Sequence, residues 1–293
     1  MVSPVIIGAN RVPTMFPGDQ PILFVGNHTL YGLVDLPFFV DHFLKERSIL
    51  MRGLAHPLVF LRDRQSKKAK DNQKEDSFSF EDFGAVQVSP RNFYALMKEK
   101  KWVLLFPGGI REAHHRNDEK YKIIWPEEQE FVRTGAKFGA LIVPFASVGS
   151  DDNFEMLMDG NDLVNIPQVA TWLKEKAPVE NARSWKQDSN EKRSILPPLS
   201  RPRRPSRLYT RFGNPIDLAD VDYRDKQRCQ DIYQKVRSNV ETLIEQQLEA
   251  RKQDRYGDLA RRLAFETLNE APAPTDLQWS IRGSYIPAED LPE

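Results

Sequence analysis

Two stretches of this sequence place titratable and anion-binding side chains directly after apolar segments. His28 follows the apolar run 21–26. Arg111 and Glu112 follow a second apolar run, 101–106, through Pro-Gly-Gly. Short apolar runs bounded by Gly or Pro are typical of strands that are covered on both faces. Ligands of open α/β sheets bind beyond the carboxyl ends of the strands, so both stretches are candidate parts of one site.

A histidine at the end of a strand indicates proton-transfer chemistry, although a lone histidine is more often structural. An imidazole held by a carboxylate can remove the proton of an alcohol that attacks an acyl group, which is general base catalysis without a protein nucleophile. Six residues separate His28 from Asp35. On one helix this step climbs ~10.5 Å, so a direct hydrogen bond requires a break, which Gly32 can supply. Alternatively, Asp35 caps the helix that begins at Leu36.

The Pro-Gly-Gly stretch has the composition of an anion-binding turn. Gly108 and Gly109 permit close backbone approach, and their amides can face an anion or a developing oxyanion. Arg111 adds a planar fork of donors that suits phosphate or carboxylate. The alternative is a tight turn in which Arg111 pairs with Glu112 or another carboxylate.

The composition excludes several classes of protein. The 293 residues are 40% hydrophobic and 29% charged, which permits a sizeable core, and 42 basic residues balance 42 acidic ones. We therefore expect no nucleic-acid partner. Cys229 is the only cysteine, which excludes a disulfide framework and fits a reducing intracellular compartment. His114 and His115 are interpreted as polar surface or rim residues, and we expect no metal. The uncharged windows 20–34 and 138–150 fall short of the ~18 residues of a spanning helix.

Strand and helix patterns alternate along the chain. Strong strand candidates lie at 21–26, 101–106 and 140–145, and weaker ones at 48–51, 84–88 and 208–212. Helix candidates lie at 36–46, 90–100, 127–138 and about 224–252, the last with one apolar stripe that indicates a core contact. This alternation predicts an α/β fold with a mostly parallel sheet flanked by helices.

Other segments fall outside this pattern. The polar run 62–76 is predicted to be a solvated loop. Residues 181–207 hold eight basic and two acidic side chains, and prolines exclude a basic helix in the core PPLSRPRRPSR. This segment is a loop, or alternatively a contact for anionic headgroups near a lipid-facing mouth. We predict a main domain over 1–252 and a C-terminal extension over 253–293 that is irregular from about residue 269.

The order of the motifs resembles the glycerolipid acyltransferase superfamily. His28 with Asp35, FPGGIRE at 106–112 and IVPFA at 142–146 follow the order of its sequence blocks. More narrowly, NHTLYGL, RGLAHPLVF, FPGGIREAHHR, YKIIWPEEQEFVRTGAKFGALIVPFASVGSDD and RLYTRFGNPI are similar to the diacylglycerol acyltransferase and phytyl ester synthase group of plants, algae and bacteria. The resemblance covers about residues 5–250, and the long middle block is its most specific part.

The resemblance implies a glycerolipid acyltransferase-like fold and transfer of a fatty acyl group from a thioester donor, acyl-CoA or acyl carrier protein, to a lipid alcohol without a cofactor. His28 takes the family's base position, although the usual pattern places Asp after four residues. Arg111 matches the arginine of the acceptor block. Gly108 stands where many relatives carry Glu, which departs from the phosphate-acceptor branch and agrees with neutral acceptors such as diacylglycerol or phytol. Glu112 is predicted to pair with Arg111 and to strengthen this preference.

The implied lipid substrates lead us to expect peripheral contact with a membrane or lipid-droplet surface, with a plastid as one candidate compartment. The alternatives are a non-catalytic lipid-binding module, an esterase that delivers the acyl group to water, and a lysophospholipid acyltransferase. Many members of the group carry a preceding hydrolase-like domain, but no G-x-S-x-G elbow occurs here. We interpret the chain as the acyltransferase module alone or as a truncated gene product.

Overall fold

The computed structural model describes residues 4–13, 19–32, 34–57, 59–60, 80–169, 171 and 196–275. The predicted loop at 62–76, the first part of the basic segment and the end of the C-terminal extension lie outside these residues.

The strands of the described residues form one large sheet and one two-stranded ribbon. They are β1 (Val5–Ile7), β2 (Ile22–Gly26), β3 (Arg52–Ala55), β4 (Ala85–Gln87), β5 (Trp102–Leu105), β6 (Leu141–Val148), β7 (Phe154–Met158), β8 (Leu199–Pro202), β9 (Tyr209–Phe212) and β10 (Ile216–Asp217). The large sheet has the order β1-β9-β6-β2-β5-β3-β4, with β10 beside β6, and β7 pairs with β8. Among the strands that the structure describes, only β9 and β10 run antiparallel to their neighbour β6 in this sheet. The predicted, mostly parallel α/β sheet is therefore confirmed.

Helices flank the sheet. They are α1 (Leu36–Arg47), α2 (Pro90–Lys98), α3 (Gly109–Ala113), α4 (Glu130–Lys137), α5 (Gly160–Val164), α6 (Lys226–Gln253) and α7 (Leu259–Asn269), with 3₁₀ turns at Ala9–Arg11, Leu30–Gly32, Phe80–Phe83 and Asp151–Asn153. The caps follow ordinary rules: the Ser89 hydroxyl accepts the Asn92 N–H at 3.1 Å before α2, and the Asp225 carboxylate accepts the Arg228 N–H at 2.9 Å in α6. Within the described residues no helix has the length and apolarity needed to cross a bilayer.

Side chains of β2 point alternately to the two faces of the sheet, and both faces are covered, which explains why its sequence is an unbroken apolar run. Ile22 and Phe24 pack into a cluster with α1 on one face of the sheet, whereas Leu23 and Val25 pack with α6 on the other face. Both faces are thus covered, as in other largely parallel sheets. The apolar stripe of α6 lies in this second cluster, which confirms its assignment as a core contact.

Some elements differ from the sequence predictions. The strand predicted at 48–51 begins instead at Arg52, and its residues are only half buried. The prediction of a loop is wrong for residues 199–202, which form the edge strand β8. This strand ends at Pro202, where the missing backbone N–H is tolerated. Arg201 forms an ion pair with Glu155 of β7. Helix α7, whose first turn is capped by Asp258, was not predicted from the sequence. The chain from Glu270 to Thr275 contains neither helix nor strand, as predicted.

Candidate functional site

The carboxyl ends of three neighbouring parallel strands bring the two predicted stretches together. β2 lies between β5 and β6 and pairs with both in parallel. His28 follows β2, and the Pro-Gly-Gly turn leads from β5 into α3. The His28 backbone N–H donates to the Glu112 carboxylate at 3.0 Å. The two predicted stretches therefore share one sheet edge and touch each other.

The His28 ring is held by a backbone carbonyl. Its Nδ1 lies 2.9 Å from the Thr29 carbonyl oxygen. A carbonyl only accepts hydrogen bonds, so Nδ1 carries the proton and Nε2 of the neutral ring is left as an acceptor. The ring lies beside Phe106, with centroids 4.7 Å apart. A Cβ atom on Gly32 would approach the His28 Cε1 to 2.4 Å, so this position has room only for glycine.

Among the described residues, Asp35 makes no hydrogen bond to His28, although its charge raises the pKa of the His28 ring. The buried Asp35 carboxylate accepts the Thr29 hydroxyl at 2.7 Å. It stands at the N-cap of α1, but its side chain makes no capping hydrogen bond there. Among the described residues, the structure therefore shows neither an Asp35–His28 hydrogen bond nor a helix cap made by the Asp35 side chain. Asp35 supports Thr29, the residue whose carbonyl orients the His28 ring.

The environment of His28 favours the neutral ring. Burial is the largest effect and lowers its pKa, while the Thr29 carbonyl and the Asp35 charge raise it and His115 lowers it. The net result is a pKa below the ordinary value of about 6.5. A neutral imidazole with an available Nε2 can act as a base at neutral pH.

Glu112 faces His28 and not Arg111. Its carboxylate accepts the N–H groups of His28 at 3.0 Å and Ile124 at 3.3 Å. Arg111 instead forms an ion pair with Glu119. The predicted Arg111–Glu112 pair is therefore wrong, because consecutive helical residues point in different directions, whereas the alternative of pairing with another carboxylate is confirmed.

Gly108 and Gly109 have different structural roles. A Cβ atom on Gly108 would lie 2.6 Å from the Glu112 Oε2, so glycine here leaves the room that the Glu112 carboxylate occupies. Gly109 has a φ of 50°, and among the described residues no atom beyond its own chain neighbours lies within 4 Å of its ideal Cβ position. The Gly109 N–H donates to the Phe106 carbonyl at 3.0 Å, so the expectation that this amide faces an anion is wrong.

The two glycines give a matched pair of substitutions. We expect Gly108→Ala to displace the Glu112 side chain and to cost about 1–3 kcal/mol of stability together with activity, because overpacking forces neighbours to move. Gly109→Ala should cost only roughly 1–2 kcal/mol through its left-handed backbone and leave the site in place. Urea unfolding and initial rates check both. Equal losses of activity in the two variants would argue against the packing of Glu112 on Gly108.

The surroundings of the Glu112 carboxyl group favour its protonated form. Burial raises its pKa from 4.5 to about 8, although the N–H groups of His28 and Ile124 act in the opposite direction. The folded protein thus binds this proton more tightly than the unfolded chain does. The contribution of Glu112 to the free energy of unfolding is therefore fully present below pH 4.5 and is lost as the pH rises through about 8.

Replacing Glu112 by Gln should remove this dependence. We expect the free energy of unfolding of the wild type to fall, relative to that of Glu112→Gln, by up to ~1.4 kcal/mol per pH unit between pH 5 and 8. Urea titrations at four pH values measure the slope. The exposed Glu99→Gln substitution serves as the control and should follow the wild type. If Glu112→Gln kept the wild-type slope, the buried protonated carboxyl would be excluded.

Several residues of the site had no place in the sequence prediction. Asn27 exchanges hydrogen bonds with the Ser147 backbone, at 2.9 Å from its side-chain amide nitrogen and 2.8 Å to its oxygen. Asp151 accepts the Leu30 N–H at 2.7 Å. Their positions in the sequence could have indicated that they belong to the site, because Asn27 directly follows β2 and Asp151 lies just beyond the end of β6.

His115 is buried, so its interpretation as a surface or rim residue is wrong. The turn after α3 folds it inward, and its Nε2 lies 3.8 Å from the Asp151 Oδ2. His114 is half buried, with its ring centroid 6.1 Å from that of Tyr31. Within the described residues, no three His, Cys, Asp or Glu side chains come together as metal ligands.

Comparison with known proteins places these features in one family. A family described as diacylglycerol acyltransferase matches residues 80–256. The chain is 40% identical over 280 residues to phytyl ester synthase 2, chloroplastic, of Arabidopsis thaliana, covering 94% of this chain and 37% of that protein. It is 38% identical over 258 residues to phytyl ester synthase 1, chloroplastic, of the same plant, covering 85% of this chain and 35% of that protein. The chain thus spans little more than a third of these relatives, and no solved structure gave a significant match.

Proposed function

The chain belongs to the diacylglycerol acyltransferase family, and we propose that it transfers a fatty acyl group from a thioester donor to the hydroxyl of a neutral lipid alcohol. The similarity to two phytyl ester synthases supports phytol as an acceptor, and the description of the family supports diacylglycerol. The observation that carries the proposal is the His28 ring at the sheet edge, whose Nδ1 is engaged by the Thr29 carbonyl and whose Nε2 remains an acceptor. Acyl-CoA and acyl carrier protein are the candidate donors.

The arrangement supports a single displacement with His28 as the catalytic residue. As the acceptor oxygen attacks the thioester carbonyl, its proton passes to the His28 Nε2. The imidazolium keeps its hydrogen bond to Thr29, and the negative charge of Asp35 stabilises it. When the tetrahedral intermediate collapses, the carbon–sulfur bond breaks and the imidazolium returns the proton to the departing thiolate. No covalent bond to the protein forms.

The ion pair of Arg111 supports a neutral acceptor. Arg111 and Glu119 are both largely shielded from solvent. Burial raises the pKa of Glu119, but the hydrogen bonds and charges of Arg111 and Arg116 outweigh this effect and lower it. A phosphate group would have to compete with this ionised carboxylate for the guanidinium. A neutral alcohol makes no such demand.

The test is a transfer assay with purified protein. Labelled acyl-CoA or acyl carrier protein is supplied with diacylglycerol, phytol, lysophosphatidic acid or no acceptor, and the products are separated. We expect ester formation with the neutral alcohols. A clear preference for lysophosphatidic acid would make Arg111 a phosphate clamp, faster release of free fatty acid would indicate an esterase, and lipid binding without any turnover would indicate a binding module.

The β7–β8 ribbon supports contact with a lipid surface. Leu157 and Leu199 are each 50% exposed on it, and Arg203 and Arg204 follow with exposed side chains. Exposed apolar residues next to cations suit an anionic lipid surface. The Tyr31 hydroxyl donates to the Pro198 carbonyl at 2.6 Å, which joins the ribbon to the loop of His28, residues 27–32. We propose that this ribbon faces the surface from which the lipid enters, and the names of both relatives support a plastid.

Liposome flotation tests this contact. We expect the wild type to float at low salt with vesicles that contain anionic lipid, and Leu157→Ser with Leu199→Ser to float markedly less. Leu268→Ser is the matched control, because Leu268 is an 83% exposed leucine that lies on α7 and not on either strand of the ribbon. Failure of the wild type to float would argue for a soluble substrate. Equal loss in the control would remove the specific role of the ribbon.

A further inference from the structure

Asp151 and His115 lie behind the loop of His28, and the proposed reaction uses neither of them. Both side chains are buried, with residue exposures of 5% and 4%. The Asp151 Oδ1 accepts the Leu30 N–H at 2.7 Å, and its Oδ2 lies 3.8 Å from the His115 Nε2. Burial raises the pKa of Asp151, although His115 and the Leu30 N–H act in the opposite direction. A polar group buried in such a place is costly unless it is hydrogen-bonded, and Asp151 makes its hydrogen bond to the backbone of Leu30.

The contacts of these residues form a circuit around the loop, made of three hydrogen bonds and the 3.8 Å approach of Asp151 to His115. The His115 Nδ1 donates to the Glu112 carbonyl at 3.2 Å. The Glu112 carboxyl group in turn accepts the His28 N–H at 3.0 Å. Three hydrogen bonds therefore connect Leu30 to Asp151, His115 to Glu112, and Glu112 to His28, and Asp151 approaches His115 at an ion-pair distance that is longer than a hydrogen bond. The loop is held from both sides by residues that follow β5 and β6.

The loop requires such external contacts because its backbone is strained. Tyr31 has a φ of 60° and Gly32 also has a φ of 60°, the left-handed region that a tyrosine rarely adopts. Conformations of this kind cost roughly 1–3 kcal/mol and persist only when the surroundings impose them. Leu30, whose N–H Asp151 holds, directly precedes this strained pair.

We propose that Asp151 is a positioning residue that fixes the loop of His28, with His115 and Glu112 closing the circuit. The role of His28 in this statement rests on the proposed function. Without Asp151 the loop relaxes, the His28 ring loses its defined contact with the Thr29 carbonyl, and Nε2 no longer faces the acceptor in one orientation. Misplacement of a reacting group by 1 Å can cost 10²-fold in rate, so the effect falls on kcat.

Kinetics with matched variants test the proposal. We expect Asp151→Ala to lower kcat by roughly 10- to 100-fold with little change in KM. Asp151→Asn retains an oxygen acceptor for Leu30 and should recover part of kcat. Asp152→Asn is the control, because Asp152 pairs with Lys120 and Arg251, outside the circuit. It should lower the melting temperature while kcat stays near that of the wild type. An equal loss of kcat in Asp152→Asn would overturn the proposal.

A measurement without turnover separates this proposal from the proposed function. In ¹⁵N-histidine NMR spectra, wild-type His28 should show a single tautomer with the proton on Nδ1. Asp151→Ala should give a mixture of tautomers. Asp151→Asn, whose neutral amide oxygen is a weaker acceptor, should give a smaller but measurable share of the second tautomer, and it serves where the alanine variant does not fold. Retention of the wild-type His28 signals in the variants would overturn the positioning role. The expected change in a protein that transfers no acyl group would confirm positioning and contradict the proposed function.

Discussion

Replacing His28 by Gln or Ala is expected to reduce acyl transfer by ~10²-fold or more while the protein remains folded. The reason lies in the contacts of the ring. Its Nδ1 is occupied by the Thr29 carbonyl, and Nε2 is left to accept the proton of the attacking hydroxyl. Gln keeps much of the volume of the partly buried ring beside Phe106, so His28→Gln in particular should change the packing little. Initial rates at neutral pH and thermal unfolding measure the two effects separately.

His42 provides the matched control for His28. It is also half buried and also has a pKa lowered mainly by burial, but it lies on α1 with its ring 5.4 Å from that of Phe43. His42→Gln should transfer at the wild-type rate. Near-normal turnover of His28→Gln with an unchanged melting temperature would remove His28 from the mechanism.

Replacing Asp254 by Ala is expected to destabilise the fold by about 3–5 kcal/mol. Asp254 and Arg207 form an ion pair at 3.1 Å, with side-chain exposures of 0% and 3%. The Tyr209 hydroxyl of β9 also donates to the Asp254 carboxylate, at 2.5 Å. Removing the carboxylate leaves the guanidinium buried without its counter-charge, which is the costly way to break such a pair. Urea unfolding monitored by tryptophan fluorescence measures the loss.

The neighbouring acid Asp258 supplies the comparison. Its exposed side chain caps α7 by accepting the Arg261 N–H at 3.0 Å. Asp258→Ala should therefore cost only ~1 kcal/mol. A loss in Asp254→Ala no greater than that in Asp258→Ala would show that the buried pair contributes little. The pair joins β9 to the chain just beyond residue 252, so it also connects the two sides of the predicted domain boundary.

The parts of the fold that were predictable are those with a strong local signal. β2, β5 and β6 are covered on both faces, so their sequences are nearly unbroken apolar runs. β3 carries a weaker signal because Arg52 and Gly53 are only half buried. The β7–β8 ribbon pairs segments more than forty residues apart outside the main sheet, and no local pattern encodes that pairing.

The candidate site was predictable in place but not in its contacts. Strand ends indicated that the His28 loop and the Pro-Gly-Gly turn would meet, because parallel neighbours end at one edge. The His28 ring is hydrogen-bonded to the backbone carbonyl of Thr29, and a contact with the backbone cannot be read from residue types. The partner of Arg111, Glu119, depends on the fold of the loop after α3. Asp151 meets Leu30 across 121 residues, a distance over which spacing carries no information.

The most direct test of the central claim is the pH dependence of kcat/KM for acyl transfer between pH 5 and 7, recorded for the wild type and His28→Gln. Because burial lowers the pKa of His28, the wild-type rate should fall on the acid side with a midpoint below about 6.5. The residual rate of His28→Gln should lack that midpoint. If the acid limb stayed at the same pH in His28→Gln, another group would be the base, and the account of this site would be contradicted.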